Sequence, residues 1–484
     1  MTRPQRDLAQ CVGEREPFHV KDLTLDSRQV TRGDAFVFLK TERQEAAAHL
    51  NDAIQNGAQA IVMDQRGVMP QLTLPDSVRL FKVSDLERRL GAIADRFYGS
   101  PSERVQVTGM TGTNGKTTTM WLHAQVTEGL YMGTVGIGVP PVTTHSSHTT
   151  ADVLSLHRNL SDAVDSGIKF VSLEVSSHAL DQGRTDQISM PVVGFSNLTR
   201  DHLDYHPSFE HYFETKCAIF SQKNVQYAVL NGDDEYVRQA GQSLPSHIKR
   251  IWIGRDVYHG SRFVRLESVV TQQTGLLVRG ETHEGPFEFV SPLMGQFNAD
   301  NLAMVIGLCL AIPMPLKTIV SKLSTATAPP GRMEVFKGHG ATIVVDYAHT
   351  PDALEKALSA VNAHARGQVY CVFGCGGDRD KGKRPLMAKV AENHADFVVL
   401  TDDNPRNEDA NLIINDLKAG LSGLKPLTVE RDRRSAIEWA YRRATTNDVI
   451  LVAGKGHEDY QIIGDQKYSF SDRDVAMQLC QEAA

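Results

Sequence analysis

The segment VQVTGMTGTNGKTTTM, residues 105–120, contains a strand, a glycine-rich turn and the start of a helix. The backbone N–H groups of residues 112–116 can surround a polyphosphate, and the positive end of the following helix points toward it. Lys116 would contact the β- and γ-phosphates, and the Thr117 hydroxyl would hold Mg²⁺. The standard pattern has glycine where this chain has Met110, so a tight turn with a surface lysine is the alternative. We predict a nucleotide site formed by Gly112, Thr113, Asn114, Gly115, Lys116 and Thr117.

Short apolar strands rich in β-branched residues place this loop in an α/β fold. They are predicted at residues 35–39, 60–63, 105–108, 170–175, 192–196, 227–230, 343–346, 369–373, 397–400 and 449–452. Because they lack polar alternation, they are typical of strands buried on both faces of a parallel sheet. Residues 251–290 differ, since short strands separated by glycine and charged turns predict a small antiparallel insertion.

Two breaks divide the chain, which at 484 residues is too long for one ordinary domain. Gly99, Ser100 and Pro101 end an amphipathic helix, and the run APPG at residues 328–331 precedes a renewed β-then-α rhythm. We predict three α/β domains at residues 1–98, 99–331 and 332–484.

The composition argues against several classes of protein. A net charge of −7 argues against a general nucleic-acid binder, and no apolar run reaches the roughly 20 residues that span a bilayer. The six cysteines lack paired zinc spacing, so we expect free thiols in a reducing compartment. We expect a cytoplasmic monomer that binds small molecules and neither nucleic acid nor membrane.

Two polar residues follow predicted strands near the phosphate loop. Glu174 ends the strand KFVSLEV, and His202 comes shortly after another strand, in SNLTRDHLDYH. Open parallel sheets bind ligands at the carboxyl ends of their strands, and Mg²⁺ needs more oxygen ligands than one threonine. We therefore predict a functional role for both, with a surface carboxylate and an ordinary imidazole as the alternative.

Six motifs occur in one order along the chain: GMTGTNGKTTT, LEVSSHAL, NLTRDHLDYH, LMGQFNADN, PPGRMEVF and VDYAHTPDAL. In this combination the chain resembles the Mur ligases of bacterial cell-wall synthesis over nearly all its length. The resemblance implies a UDP-binding first domain, a central P-loop ATPase domain, and a Rossmann-like last domain that binds the incoming amino acid.

The resemblance also implies the reaction, an ATP-dependent amide ligation in peptidoglycan precursor synthesis. EVSSHAL and FGCGGDRDKGKRPLM resemble the branch that adds the third residue of the peptide stem, onto UDP-N-acetylmuramoyl-L-alanyl-D-glutamate. A substrate carboxylate would attack the γ-phosphate of ATP, and an amine would then attack the acyl phosphate. Lys116, Glu174, His202 and Lys216 are the implied catalytic residues.

Lys216, in FETKCAIF, matches a lysine that the family modifies with CO₂. The resulting carbamate, N6-carboxylysine, would act as an acidic Mg²⁺ ligand beside Thr117, Glu174 and His202. An unmodified lysine on a helix surface is the alternative.

The remaining implied contacts concern ATP and the UDP-linked substrate. Asn298 resembles an adenine contact, and Arg332 and Asp346 resemble ATP contacts. The residues that match substrate contacts are Ser27, Thr149, Thr150, Ser177, Gln182 and Arg184. The chain departs from the family pattern at Ala151 and in a shortened segment before Gly133.

The choice of amino acid is predicted from TDDNPRNED, which resembles the form in meso-diaminopimelate enzymes. Diaminopimelate has a carboxylate that lysine lacks, and an arginine fork can bind it through two hydrogen bonds. Glu458 suits an ammonium group. The residues implied to bind diaminopimelate are Arg379, Asp403, Asn404, Arg406, Gly454 and Glu458.

Other functions remain open at this point. One is the lysine-adding version of the same ligase, and another is a folylpolyglutamate synthase, which should lack the uridine domain and the DNPR segment. A P-loop switch or motor protein would have no amino-acid domain. A non-catalytic binding module would leave the complete metal and phosphate sets unexplained.

Overall fold

A computed structural model describes residues 5–39, 43–67, 74–144, 146, 148–256 and 262–482. The chain forms two compact units. The first comprises Met1–Lys116 and Thr127–Arg250, and the second comprises Thr117–Val126 and Ile251–Ala484. Each unit is built of helices and mainly parallel sheets, which confirms the predicted α/β class.

The amino-terminal part of the first unit contains a four-stranded parallel sheet in the order β3-β4-β5-β6. Its elements are β1 Arg6–Asp7, α1 Leu8–Val12, β2 His19–Val20, β3 Leu23–Thr24, β4 Ala35–Phe38, α2 Arg43–Gln55, β5 Ala60–Asp64, β6 Arg79–Val83 and α3 Leu86–Phe97. All four residues of β4 are buried, as expected for a strand covered on both faces.

The rest of the first unit contains six strands in the order β12-β11-β7-β10-β8-β9, parallel except for the β8–β9 hairpin. The elements of this region are β7 Gln106–Thr111, β8 Leu130–Gly133, β9 Gly136–Gly138, α5 Val153–Asp165, β10 Phe170–Glu174, α6 Ser177–Asp181, β11 Val192–Phe195, α7 Phe209–Cys217, β12 Tyr227–Asn231 and α8 Glu235–Gln242. The helix α4 Lys116–Thr127 follows β7 in the chain, and its residues Thr117–Val126 belong to the second unit. The carboxyl ends of β7, β10 and β11 therefore meet at one edge.

The second unit begins with the predicted antiparallel insertion, in which β14 pairs with β15 and β15 with β16. Its elements are β13 Lys249–Gly254, β14 Arg262–Gln272, β15 Gly275–Thr282, β16 Gly285–Ser291, α9 Asn298–Leu310 and α10 Leu316–Leu323. The strand β13 runs parallel to β14. The prediction for residues 251–290 is thus confirmed for three of the four strands.

A second parallel sheet follows, in the order β17-β18-β22-β19-β20-β21 with only β17 antiparallel. The elements of this region are β17 Glu334–Phe336, β18 Thr342–Asp346, α11 Pro351–His364, β19 Val369–Phe373, α12 Lys383–His394, β20 Phe397–Leu400, α13 Ala410–Lys418, β21 Leu427–Val429, α14 Arg433–Arg443, β22 Val449–Ala453, β23 Tyr460–Ile463, β24 Gln466–Ser469 and α15 Asp472–Glu482. The strands β23 and β24 form a separate antiparallel pair. Thr350 caps α11 by accepting a hydrogen bond from the Ala353 N–H.

All ten predicted strands are present, nine of them within one residue of their expected bounds, and β7 ends three residues later than predicted, at Thr111. The domain boundaries at residues 98 and 331 stay predictions. The six cysteine thiols are free, and burial raises the pKa of the Cys217 thiol to about 11. In the part of the chain that the structure describes, no helix is long and apolar enough to cross a membrane.

A buried ion pair joins the starts of two helices in the second unit. Arg433 donates from Nε and Nη2 to the two carboxylate oxygens of Asp472, each at 2.8 Å, and Nη2 also donates to the Ala453 carbonyl. Both side chains are fully buried. Removing one partner of such a pair leaves an uncompensated charge inside the protein.

We expect Asp472→Asn to lower the free energy of unfolding of the second unit by about 3–5 kcal/mol, because the guanidinium loses its counter-charge. Urea unfolding followed by tryptophan fluorescence would measure this, since the three tryptophans, Trp121, Trp252 and Trp439, all belong to that unit. Glu438→Gln, which removes an exposed pair with Arg442, is the control and should cost less than about 1 kcal/mol. Equal effects of the two substitutions would contradict the prediction.

Candidate active site

The predicted phosphate loop connects β7 to α4. Gly112 and Gly115 have φ angles of +146° and +87°, which glycine adopts without strain. Lys116, the first residue of α4, folds back so that Nζ donates to the carbonyls of Gly112 at 2.7 Å and Thr113 at 3.0 Å. Thr117 follows in the first turn of α4. The loop therefore has the strand–turn–helix setting that a polyphosphate site requires.

The segment that follows β11 holds the loop in place. The N–H groups of Thr113 and Asn114 donate to the backbone carbonyl and the side-chain oxygen of Asn197, both at 2.9 Å. Ser196 donates from Oγ to the Asn114 carbonyl at 2.7 Å. A Cβ atom on Gly112 would collide with Ser196 Oγ. The sequence analysis did not identify Ser196 and Asn197. Their position at the end of β11, which neighbours β7 in the parallel sheet, could have indicated a contact with the loop.

Glu174 ends β10 beside the phosphate strand, where it pairs in register with Met110. Its buried carboxylate accepts hydrogen bonds from the Tyr131 hydroxyl, from the Thr134 N–H at 3.1 Å and from Thr134 Oγ1 at 3.1 Å. Thr134 Oγ1 also lies 3.1 Å from Thr149 Oγ1. Glu174 is thus oriented by hydrogen bonds from Tyr131 and Thr134.

Lys216 lies in α7 and reaches the same loop. Its side chain is buried, and Nζ donates to the Gly112 carbonyl at 2.9 Å, the carbonyl that Lys116 also uses. Burial, and next the charge of Lys116, hold the pKa of Lys216 well below its ordinary value. The Nζ atom lies 4.7 Å from the centre of the Tyr212 ring, whose hydroxyl is 3.1 Å from Thr113 Oγ1.

His202 lies near Tyr212. The two ring centres are 6.3 Å apart, and the ring of His178 is 5.1 Å from that of His202. His202 has a φ of +52°, is about half exposed, and has Nε2 3.5 Å from Asp201 Oδ2. Within the described residues, no three carboxylate, imidazole or thiol groups form a metal cluster by themselves.

The predicted substrate residues Thr150, Gln182 and Arg184 form one hydrogen-bonded strip. Thr150 donates from Oγ1 to the Glu174 backbone carbonyl at 2.8 Å. Arg184 donates to the Thr150 carbonyl at 2.8 Å and twice to Gln182 Oε1, at 2.9 and 2.6 Å. These acceptors are neutral, so the arginine charge is available to an anionic ligand.

Ser177 lies at the edge of a histidine cluster that sequence analysis missed. Its Oγ atom is 3.0 Å from His206 Nε2, and His206 Nδ1 is 3.1 Å from His211 Nδ1. Burial, and next the charge of His211, lower the pKa of His206. Nearby, Tyr205 donates to Asp181 Oδ2 at 2.6 Å.

Ser27 occupies a separate position in the first unit, in a short 3₁₀ turn between β3 and β4. The residue is buried, and its carbonyl accepts from Asn56 Nδ2 at 3.0 Å. Its Oγ atom lies 3.5 Å from His49 Nδ1. Its predicted uridine contact stays a prediction.

The predicted ATP contacts of the second unit have partners within that unit. Asn298 is buried at the start of α9, donates to the Met294 carbonyl at 2.7 Å and accepts from Asn301 Nδ2 at 2.8 Å. Arg332 lies over the Tyr347 ring, with Cζ 4.6 Å from the ring centre. Asp346 ends β18, and burial raises the pKa of its carboxyl while Arg332 partly lowers it.

Arg379 and Arg406 approach each other across Gly376 in the second unit. A Cβ atom on Gly376 would lie 2.9 Å from Arg406 Nη1 and 3.6 Å from Arg379 Cγ. Arg379 is exposed, and Arg406 is partly buried. The Arg406 guanidinium and the aliphatic part of the Arg379 side chain, from separate loops, therefore both lie within 4 Å of the position that a Gly376 side chain would occupy.

The other predicted amino-acid residues surround Lys455, a buried residue that sequence analysis missed. Its Nζ atom is 3.1 Å from Asn404 Oδ1, 3.4 Å from Glu458 Oε2 and 3.6 Å from Asp403 Oδ1. Asn404 donates to Glu458 Oε2 at 3.0 Å. At Gly454, with φ of +118°, a Cβ would lie 2.6 Å from Asp403 Oδ2. One lysine faces two carboxylates, which leaves negative charge for an ammonium group.

Comparison with known proteins agrees with this geometry. The Mur ligase middle domain matches residues 110–309, and the Mur ligase, glutamate ligase domain, matches residues 331–456. UDP-N-acetylmuramoyl-L-alanyl-D-glutamate–2,6-diaminopimelate ligase of Alkalilimnicola ehrlichii is 43% identical over 479 residues, covering 96% of this chain and 95% of the relative. The protein of that name from Xylella fastidiosa is 42% identical over 471 residues, covering 95% and 94%.

The similarity extends to a solved structure. A structure of UDP-N-acetylmuramoyl-L-alanyl-D-glutamate–2,6-diaminopimelate ligase aligns with a TM-score of 0.70 and 31% sequence identity, and the alignment covers 99% of both chains. The relationship therefore covers nearly the whole chain, including both sets of candidate residues.

We expect Gly112→Ala to weaken nucleotide binding about 10- to 100-fold, because the added methyl group collides with Ser196 and overpacking costs about 1–3 kcal/mol. Fluorescence titration with a labelled nucleotide would measure the dissociation constant. Gly167→Ala is the matched control, since Gly167 also has positive φ (+75°) but has no atoms near a built Cβ. If the two variants bound equally well, the loop would not form the nucleotide site.

Proposed function

Because the chain belongs to the Mur ligase family, we propose that it joins meso-diaminopimelate to UDP-N-acetylmuramoyl-L-alanyl-D-glutamate with the energy of ATP. The observation that carries the choice of amino acid is the convergence of Arg379 and Arg406 on Gly376. These two guanidinium groups suit the additional carboxylate of diaminopimelate, and Glu458 suits an ammonium group. Lysine would leave the arginines without an anionic partner, which can discriminate strongly between substrates.

The reaction has two steps. A carboxylate oxygen of the D-glutamate side chain attacks the γ-phosphorus of ATP, giving an acyl phosphate and ADP. The amine of diaminopimelate then attacks the acyl carbon, so that an amide forms and phosphate and a proton leave. Phosphoryl transfer depends mainly on alignment and charge neutralisation, which Lys116 and the backbone N–H groups of the loop would supply.

The donor set beside the loop fits Mg²⁺, a hard cation that prefers oxygen ligands. Thr117 would supply a hydroxyl, Glu174 a carboxylate and His202 an imidazole. When bound, Mg²⁺ would neutralise charge on the phosphates. The hydrogen-bond donors around Glu174 fix the orientation of its carboxylate.

Lys216 would serve as a further metal ligand after reaction with CO₂. Its lowered pKa favours the neutral amine, the form that can attack CO₂. A new N–C bond forms, a proton leaves, and the product is a carbamate anion. This change would replace the repulsion between Lys216 and Lys116 with attraction.

The other contacts complete the proposal. Arg184, with Thr149, Thr150, Ser177 and Gln182, would bind the acidic peptide and muramyl groups, and Ser27 would bind the uridine. Asn298, Arg332 and Asp346 would contact ATP. The monomeric state and the cytoplasmic location expected from the sequence stay predictions.

The substrate choice is tested by phosphate release with ATP, Mg²⁺ and UDP-N-acetylmuramoyl-L-alanyl-D-glutamate, supplied with meso-diaminopimelate, L-lysine or no amino acid. We expect turnover only with diaminopimelate. Arg406→Ala should raise the KM for diaminopimelate at least about tenfold, because the carboxylate loses a charged partner. It should also lower the ratio of kcat/KM for diaminopimelate to kcat/KM for lysine. Preference for lysine would overturn the diaminopimelate assignment, and indifference to the UDP-peptide would overturn the ligase assignment.

Lys216→Met should lower kcat about 100-fold or more, as the loss of an electrostatic group at a reacting phosphate does. Lys223→Met, at a lysine that pairs with Glu103 on the surface, should retain activity. With ¹³C-labelled bicarbonate, NMR should show a carbamate signal that Lys216→Met lacks. The signal should grow as pH rises through the lowered pKa of Lys216, since only the neutral amine reacts. A fully active Lys216→Met variant would exclude the role.

A further inference from the structure

The arginines of the amino-acid site lie on two loops that follow the neighbouring parallel strands β19 and β20. The GDRD loop, residues 374–382, contains Arg379, and the DNPR loop, residues 401–409, contains Arg406. The loops contact each other directly. Gly377 donates its N–H to the Asn404 carbonyl at 2.9 Å, and Arg406 Nη1 donates to the Gly377 carbonyl at 2.9 Å.

Both loops contain backbone that an isolated chain would avoid. Asp378 has φ of +53° and Arg406 has φ of +51°, in the left-handed region that residues other than glycine rarely adopt. Such conformations persist only where the surroundings hold them. At Gly377, a Cβ atom would collide with the Pro405 carbonyl, so the loops are packed as closely as glycine allows.

A buried ion pair connects the two loops. Arg384, in α12, has a fully buried side chain, and Nη1 and Nη2 donate to the two carboxylate oxygens of Glu408 at 2.8 and 2.7 Å. Nη2 also donates to the Gly376 carbonyl at 3.2 Å. Glu408 in turn accepts from the Asp378 N–H at 3.2 Å. Lys381 Nζ, also in the GDRD loop, lies 3.1 Å from Glu408 Oε1. The pair thus contacts the GDRD loop at three points and belongs to the DNPR loop through Glu408.

We propose that the Arg384–Glu408 pair is a positioning and specificity element, which fixes the separation of Arg379 and Arg406 for a substrate carboxylate. The inference rests on the proposed function. Arg384 is too buried to touch a ligand, but it holds the carbonyl of Gly376, the residue across which the two arginines meet. A fork-to-carboxylate contact has one preferred planar geometry, so it sets the relative position of the loops more narrowly than apolar packing would.

This geometry predicts an effect limited to one substrate. If the loops separate, the arginines can no longer share one carboxylate, and the affinity for diaminopimelate falls. Lysine binding depends less on the arginines, so the preference for diaminopimelate over lysine should fall together with the affinity. Residues 112–116 of the phosphate loop and the substrate strip belong to the first unit and make none of these contacts among the described residues.

The experiment compares Glu408→Gln and Arg384→Lys with wild type in the complete ligase assay. Glu408→Gln keeps the shape of the side chain but removes its charge, and Arg384→Lys keeps the charge but removes the fork. We expect both to raise the KM for diaminopimelate about tenfold or more, with a similar fall in the diaminopimelate-to-lysine ratio of kcat/KM. The KM values for ATP and the UDP-dipeptide should stay within about twofold.

Asp416→Asn is the matched control. Asp416 also contacts Arg384, with Nη1 to Oδ2 at 2.8 Å, but it lies in α13 outside both loops and its side chain is 42% exposed. This variant removes a charge from the same guanidinium without loosening either loop, so its KM for diaminopimelate should remain within about twofold of wild type. Thermal unfolding of every variant separates loss of structure from loss of positioning.

The possible results are distinct. An equal loss of kcat/KM for ATP, the UDP-dipeptide and diaminopimelate that follows the fall in melting temperature would show a structural role only. That result would overturn the proposal. Unchanged KM values for diaminopimelate in both loop variants would overturn it as well. A wild-type enzyme that shows no turnover with diaminopimelate would instead overturn the proposed function, and the positioning role with it.

Discussion

Two lysine ammonium groups share one backbone carbonyl, that of Gly112, at the carboxyl edge of the first unit's sheet. Lys116 Nζ donates to it at 2.7 Å and Lys216 Nζ at 2.9 Å, and Lys216 is buried. Burial, and next the charge of Lys116, both disfavour a positive charge on Lys216, so the arrangement favours loss of that charge. The proposed carbamate would remove it.

Buried cations organise the second unit in a similar way. Arg384, Arg433 and Lys455 are almost completely removed from solvent, and each lies against one or more carboxylates. A buried charge is tolerated only when it is paired and hydrogen-bonded, so each pair fixes its surroundings in one geometry. For a zwitterionic substrate this is useful, because its charged groups meet partners whose positions are already set.

Both sets of candidate residues follow from the parallel sheets. Strand register places Glu174 beside Met110 in the first unit and Asp346 beside Ala453 in the second, so polar residues at strand ends are gathered along one edge. Parallel strands bring together residues that are far apart in the chain, and the loops after them can change without disturbing the core. The strands supply stability, and the loops supply the chemistry.

The sequence by itself determined the α/β class, the strand positions, the phosphate loop and the resemblance that marks Lys216 and Arg406. These are local signals, since glycine spacing, β-branched runs and short motifs are read over a few neighbouring residues. Only the tertiary structure decided which other side chains orient the candidate site residues. Tyr131 and Thr134 hold Glu174 from 43 and 40 residues away, and Lys455 reaches Asn404 across 51. No local pattern encodes such pairings, because they depend on how separate strand ends meet when the sheets assemble.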